Sequence, residues 1–187
     1  MFFAPTLLAV TQPRCENHVR ILAALLGVGC GHVDVVDDGR FPDSMTERWQ
    51  VESLSKLLTS TLRCHRIDTL ITFDATGISS HPNHRACHAA SLRLPASDSD
   101  SDSDSEYPRD VYALETVSLL RKYMSVLDLL FLRGGTNAAR LRFVSGWGGY
   151  RRARAAMVTA HVSQMVWFRH LWVLFSRYMV VNELVLV

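Results

Sequence analysis

No run of about eighteen apolar residues free of charge occurs in this sequence, and its N-terminus lacks the succession of basic, hydrophobic and small residues that makes a secretory signal. A bilayer-spanning helix is therefore not expected. Cysteine is sparse: Cys15, Cys30, Cys64 and Cys87 lie far apart with no CxxC pair, which excludes a zinc knuckle and a thioredoxin-like redox site and leaves reduced, structural thiols as the expectation. Acidic residues are concentrated in one tract, residues 97–106, which alternates Ser with four Asp and a closing Glu. A segment of that composition has no apolar area to offset its ordering entropy, so a disordered acidic loop is expected there. The overall charge of +2 thus conceals a basic remainder, with its excess on Arg133, Arg140, Arg142, Arg151, Arg152 and Arg154. Dispersed arginines solubilise a face more often than they dock a phosphate-rich surface, and no nucleic-acid role is read from them.

What remains is enough for one ordinary domain over residues 1–187, with a single core. A mean hydropathy of +0.08 is slightly oily for a soluble chain and is compatible with membrane contact. Short β-branched runs alternate with longer runs of helical period, which predicts an α/β sheet with helices packed on its faces. Val19, Leu22, Leu25 and Leu26 mark a helix over His18–Leu26 that packs on the sheet and stops at Gly27. Val33–Val36 reads as a strand leading into a turn-rich loop over residues 37–43. Ser44 and Glu47 have capping-box spacing, and Val51, Leu54, Leu57, Leu58, Thr61 and Leu62 share one helical face. Ile67–Phe73 reads as the next strand, apolar enough to be covered on both faces, ending at Asp74.

Beyond the acidic tract, Val111–Val117 reads as a strand and Ser118–Leu130 as a helix, although one continuous helix also fits. Leu132–Tyr150 holds five of the ten glycines and little periodicity, which predicts an irregular connection suited to a lid or substrate loop. Arg151–Val187 is helical at first and then dense in aromatics, with Trp167, Phe168, Trp172, Phe175 and Tyr178 interleaved with Arg169 and Arg177. Such a stripe either closes the core as a packed helix or meets a lipid headgroup boundary, and both hold if its two faces differ.

His81-Pro82-Asn83-His84 opens a helix after the Ile67–Phe73 strand, with Pro82 at the first helical position and His81 as its N-cap. Two imidazoles at the carboxyl end of a parallel strand sit where open α/β sheets bind ligands. One neutral imidazole there can ligate zinc and another can donate to an oxyanion or relay a proton. The bland reading is a pair of solvated cap residues in a chain with eight histidines. Gly27-Val28-Gly29-Cys30-Gly31 has the spacing of a nucleotide-binding turn, but a helical run precedes it and Asp37 and Asp38 come too soon for the ribose-binding acid, so a cofactor site is not expected there.

A family resemblance runs the length of the chain. It is carried by Met1-Phe2-Phe3-Ala4-Pro5-Thr6, Arg40-Phe41-Pro42-Asp43, Thr72-Phe73-Asp74 and His81-Pro82-Asn83-His84-Arg85-Ala86. It continues through Leu119-Leu120-Arg121-Lys122-Tyr123, His161-Val162-Ser163-Gln164, Trp167-Phe168-Arg169 and Phe175-Ser176-Arg177-Tyr178-Met179. Together these resemble the N-acetylglucosaminylphosphatidylinositol de-N-acetylases, the PIG-L branch of the LmbE-like deacetylases. The resemblance implies a Rossmann-like three-layer sandwich with a mostly parallel sheet, its first strand missing here. It also implies His84 as a zinc ligand, His81 as the group stabilising the tetrahedral intermediate, and substrate or scaffold roles for Arg40, Asp43, Asp74 and His161. The implied reaction is zinc-assisted hydrolysis of the acetamide of N-acetylglucosaminyl-phosphatidylinositol, in GPI-anchor synthesis at the cytoplasmic face of the endoplasmic reticulum membrane.

The sequence departs from the family in two places. His-Pro-Asp-Asp-Glu, which in the family supplies two zinc ligands and the general base upstream of the segment matched by Met1, does not occur, and the Ser/Thr-Gly-Asn segment is missing because Thr11-Gln12-Pro13-Arg14 leads almost directly into the first helix. One imidazole is short of the three protein ligands of a catalytic zinc, so weak or absent zinc binding and an exposed apolar sheet edge are expected for the chain as written. A truncated gene product or a catalytically inactive relative, acting at a membrane surface or in a complex, is the second reading.

Overall fold

A computed structural model of the chain describes residues 7–10, 16–94, 110–132, 139–160 and 165–187, in which strands and helices alternate as an α/β fold. They divide into two compact units: Met1–Pro42 with Val117–Gly134 and Phe143–Asn182, and Asp43–Thr116 with Gly135–Arg142 and Glu183–Val187. The acidic tract at 97–106 lies outside the described residues.

In the first unit, β1 (Leu7–Val10) pairs in parallel with β2 (Val33–Val36), Leu7 opposite Val33 and Val10 opposite Val36. Parallel neighbours need a crossover, and α1 (Glu16–Leu26) supplies it. The predicted stop holds: Gly27 takes φ 91, a conformation costly for any residue with a Cβ, and Val28 N–H donates to Ala23 O at 2.8 Å. The glycine-rich run is thus a helix exit followed by a 3-10 turn at Cys30–His32. α1 touches β2, but it packs chiefly on α6 (Trp147–Ala160) rather than on the sheet. Ala23, Ala156 and Ala160 are buried, and small side chains let helices approach closely.

The helix expected over Ser118–Leu130 is broken. α5 covers only Leu119–Lys122, Ser125 takes φ 47, and Ser125–Phe131 continues as a 3-10 helix. The cause is Asp128. Its carboxylate is fully buried and accepts from Arg121 Nε at 2.7 Å, from Arg121 Nη2 at 2.9 Å and from the fully buried Arg177. In an unbroken helix residues seven apart are about 10.5 Å apart along the axis. The break brings Arg121 onto Asp128. Around this pair a core forms from Val173, Met179, Val180 and Val181, with Leu129, Tyr150 and Met157 against it.

In the second unit, α2 (Val51–His65) buries Leu54 and Leu62 on the predicted face. It starts later than the capping box suggests. Ser44 Oγ does accept from Glu47 N–H at 3.1 Å, but Gln50 is still extended and the intervening stretch buries Trp49. β3 (Thr69–Phe73) also begins two residues late, because Ile67 N–H is used to cap α2 on Leu62 O at 3.0 Å, with Arg66 left-handed at φ 51. α4 (Pro82–Ser91) packs on α2 and β3. β4 (Asp110–Leu114) pairs in parallel with β3 and antiparallel with β6 (Val181–Leu186), in the sheet order β3-β4-β6-β5, where β5 is Arg140–Val144.

Three expectations fail in this sheet. β3 is an edge strand, not one covered on both faces, and Ile71 is 60% exposed. Part of the glycine-rich stretch expected to be irregular is β5 and the start of α6. The chain closes on a strand, β6, that the aromatic density before it concealed. β5 was hidden by its charge, because Arg142 Nη2 lies 2.9 Å from the buried Glu183 Oε1 and Arg140 Nη1 lies 2.7 Å from Glu115 Oε2. These two arginines hold strands together; Arg151, Arg152 and Arg154 are exposed, and Arg133 lies outside the described residues.

Removing one member of a buried ion pair strands its partner, at a cost of about 3–5 kcal/mol. Asp128→Ala is therefore expected to lower the unfolding free energy by about that amount, read as a shift of the urea midpoint at unchanged slope. A shift typical of a surface substitution would contradict the role given to this carboxylate. Burial pushes the Asp128 carboxyl up, but the Arg121 and Arg177 hydrogen bonds outweigh it and hold the carboxyl below its ordinary value. Its contribution should therefore be intact above the unfolded carboxylate range, about pH 4, and be lost as pH falls through the lower folded value.

Candidate active site

The turn after β3 is built by Asp74. One carboxylate oxygen accepts from Thr76 N–H at 3.1 Å, Gly77 N–H at 2.7 Å and Thr116 Oγ1–H at 2.7 Å, and the other accepts from Thr116 N–H at 2.7 Å. Partial burial raises its pKa, but these bonds outweigh that and hold the carboxyl below its ordinary value. Thr116 Oγ1 also accepts from Ile78 N–H at 3.0 Å, so the residue after β4 clamps the turn after β3. The short helical turn α3 (Gly77–Ser80) is strained: Ile78 has φ 63 and Ser80 φ 60.

His81 follows as the predicted N-cap of α4, its Nδ1 accepting from Asn83 N–H at 3.2 Å, with Pro82 at the first helical position. That bond requires an unprotonated Nδ1, so in the neutral ring the proton sits on Nε2, which lies 4.0 Å from Asp43 Oδ1. Asn83 Nδ2 donates to the same oxygen at 3.3 Å, and Asn83 Oδ1 is buried without a hydrogen-bond partner among the described residues. His84 stands one turn on, its ring stacked on Phe73 at 3.9 Å and 5.1 Å from the His81 ring. Its Nδ1–H donates to Gly77 O at 3.0 Å. Burial, with a smaller effect of His81, depresses its pKa, so the ring is neutral and Nε2 carries a free lone pair. His88, a further turn along, donates from Nδ1 to Phe73 O at 3.0 Å and ties α4 to the end of β3.

The structure therefore brings together Asp43, His81 and His84 at the carboxyl end of β3, beside the turn that Asp74 holds. Arg40 belongs to the first unit, where it pairs with Asp38 at 2.5 Å; the side-chain bond from Arg40 pushes the Asp38 carboxyl down to about 2. His161 lies outside the described residues.

Comparisons with known proteins identify the family. Residues 2–94 match the PIG-L family model, described as GlcNAc-PI de-N-acetylase. The N-acetylglucosaminyl-phosphatidylinositol de-N-acetylase of Arthroderma benhamiae is 32% identical over 98% of this chain and 82% of its own length. That of Bos taurus is 32% identical over 98% of this chain and 77% of its own. The chain belongs to the GlcNAc-PI de-N-acetylase family. A probable de-N-acetylase of Schizosaccharomyces pombe is 33% identical over 90% of the chain and 66% of its own length. No solved structure matches the chain.

The family implies a divalent metal, and the described residues fit only part of a site for one. His84 Nε2 is oriented as a metal-bound imidazole is, with the opposite nitrogen donating to a carbonyl. Yet among the described residues no three His, Cys, Asp or Glu side chains group to hold an ion, and a catalytic zinc takes three protein ligands. Of the cysteines whose side chains are described, Cys64 is exposed on α2, and burial pushes the Cys87 thiol up to about 11.

Sequence reasoning assigned no role to Gly77, Thr116 and His88, and held Asn83 only as a member of the His81-Pro82-Asn83-His84 run. Gly77 had the clearest signal as a glycine just before an HxxH. It takes φ +65, and a Cβ there would stand 2.8 Å from His84 Cβ. Gly77→Ala is expected to destabilise the protein by about 1–2 kcal/mol from the left-handed backbone alone, and to shift the His84 ring resonances in NMR spectra while those of His88 stay in place. An unmoved His84 would refute the clamp. Asp74→Asn should cost about 1–3 kcal/mol and flatten the loss of stability below about pH 4, because a carboxyl held below its unfolded value stabilises only while ionised.

Proposed function

We propose that this chain serves the removal of the acetyl group from N-acetylglucosaminyl-phosphatidylinositol, an amide hydrolysis in GPI-anchor synthesis, at the cytoplasmic face of the endoplasmic reticulum membrane. Family membership supports the reaction class, and one observation carries the site: a neutral His84 with its Nε2 lone pair free, beside a His81 whose Nε2 bears a proton. In this reading His81 donates to the oxygen that becomes negative as the acetamide carbonyl is attacked, where a fixed donor lowers the barrier. Asp43 aligns His81 and receives a sugar hydroxyl, while Asp74 keeps the turn closed. Arg40 and His161 are assigned to substrate on the strength of the family pattern alone. Zinc is the proposed ion and His84 one ligand to it; no step is assigned to the ion, because the described donors do not complete its shell.

The alternative is a catalytically inactive member of the family that keeps the fold and works at a membrane surface or in a complex. What favours it is the same donor count. Calorimetric titration with zinc separates the two readings: the chain as it stands is expected to show no stoichiometric sub-micromolar site, and a tight one-to-one isotherm would overturn the donor count. In any form of the protein that releases acetate from the glycolipid, His81→Ala is expected to lower kcat about 100-fold with bound metal unchanged. His84→Ala should abolish metal-dependent turnover. Undiminished turnover in both variants would sink the assigned roles.

A further inference from the structure

α7 (Trp167–Phe175), in the first unit, is apolar nearly all round but fully buries only Val173. Trp167 is 75% exposed, and Phe168, Leu171, Leu174 and Phe175 are exposed with it. A helix with that composition is normally covered. An open apolar groove of about 650 Å³ runs along it, walled by Phe168, Leu171, Trp172 and Phe175 together with Met157 of α6 and Tyr123 beyond α5. That volume falls within the range of about 300–1,000 Å³ in which small-molecule sites lie. The apolar surface of this unit continues in α5 and the 3-10 helix, where Leu120 is 77% and Leu130 81% exposed. Arg169 stands on the groove wall and Arg154 one turn before Met157, and α6 and α7 together contain Arg151, Arg152, Arg154 and Arg169 but no Asp or Glu.

We propose that this face of the first unit lies in the surface of an anionic phospholipid bilayer, with α7 in the plane of the interface, one acyl chain in the groove and the α6 arginines against lipid phosphates. Charge decides between occupants. A two-fold contact with a second copy would set the same arginines against one another, whereas an anionic lipid surface neutralises them. The mixture of Trp, Phe and Leu with Arg suits the boundary between headgroups and acyl chains, where aromatic rings and guanidinium stems are each half solvated. Among the described residues no helix is long and apolar enough to cross a membrane, so the contact is one of lying on the bilayer. The inference deepens the glycolipid reading by naming the surface that meets the membrane.

The test uses the full chain and vesicles of phosphatidylcholine, alone or mixed with phosphatidylserine and free of any N-acetylglucosaminyl lipid, so that its failure is separable from failure of the deacetylase reading. Co-sedimentation is expected to show at least about tenfold stronger partition onto the anionic vesicles, given the charge of several arginines near the surface. Tryptophan fluorescence should be quenched by lipids brominated along the acyl chain. Phe168→Asp with Leu171→Asp, checked for native circular dichroism, should lose binding by at least about tenfold. Arg151→Glu with Arg154→Glu, on exposed positions that leave the fold intact, should remove the preference for anionic lipid and keeps the test open if the first variant does not fold. Equal partition onto neutral and anionic vesicles, binding unmoved by either variant, or a dimer that the apolar variant converts to monomer would each overturn the proposal.

Discussion

One carboxylate, that of Asp74, determines whether the two imidazoles face the end of β3 at all. Gly77 presents its carbonyl to His84 because Asp74 has already taken the Gly77 amide at 2.7 Å, and Thr116 fixes Asp74 from the segment that follows β4. The left-handed residues Gly77, Ile78 and Ser80 are tolerated because this set of bonds over-determines the turn. A sub-ångström change in the turn passes directly to His84, since the backbone and the ring are joined by a single hydrogen bond and a close packing contact. The tautomers follow from the same geometry. A carbonyl can only accept, so His84 carries its proton on Nδ1, while a backbone amide can only donate, so His81 carries its proton on Nε2. The turn therefore produces a lone pair on one ring and a proton on the other, two complementary functions from two identical residues three positions apart.

The second unit was legible in the sequence where local rules act alone. Pro82 after His81 predicts the helix start, since a missing N–H is harmless only there, and the cap bond to Asn83 confirms it. The apolar face of α2 is legible for the same reason, because only a helix gathers residues three and four apart onto one side. What was not legible depends on partners distant in sequence. β5 reads as a basic loop until Glu183 and Glu115 are placed beside Arg142 and Arg140, 41 and 25 residues away. β3 reads as a covered strand because its composition is apolar; strand order, which composition does not encode, puts it at an edge. The site followed the same rule. The histidines announced themselves by motif, whereas Thr116, 42 residues beyond Asp74, had no local signal.

The first unit balances charge and apolar surface in an unusual way. Asp128 is fully buried between Arg121 and Arg177, and its charge-assisted bonds coincide with a break in a helix that local periodicity favours. A buried pair of this kind is weak evidence of stability, because its desolvation cancels much of its attraction. It specifies one arrangement, however, in which Leu119 and Leu120 of α5 and Leu127 and Leu130 of the following 3-10 helix are exposed while Leu129 packs on the core. These exposed apolar residues lie in the same unit as α7, with its mixed aromatic and basic character.

A glycolipid asks two different things of a protein that binds it. The sugar amide needs fixed donors and acceptors, which a desolvated polar turn supplies at low reorganisation cost. The lipid tails need apolar area that stays uncovered in water, which is unfavourable for a soluble domain unless charge at its rim prevents self-association. In the proposed reading these two requirements fall on different units, with paired imidazoles on a strained turn in one and an arginine-flanked apolar groove in the other. Neither feature is explained by fold stability. The turn stores backbone strain at Ile78 and Ser80, and the groove leaves aromatic rings in solvent that a packed core would have taken in. Features that cost stability and are nonetheless built from specific contacts call for a function, and the proposed substrate, an amide linked to a membrane lipid, would use both.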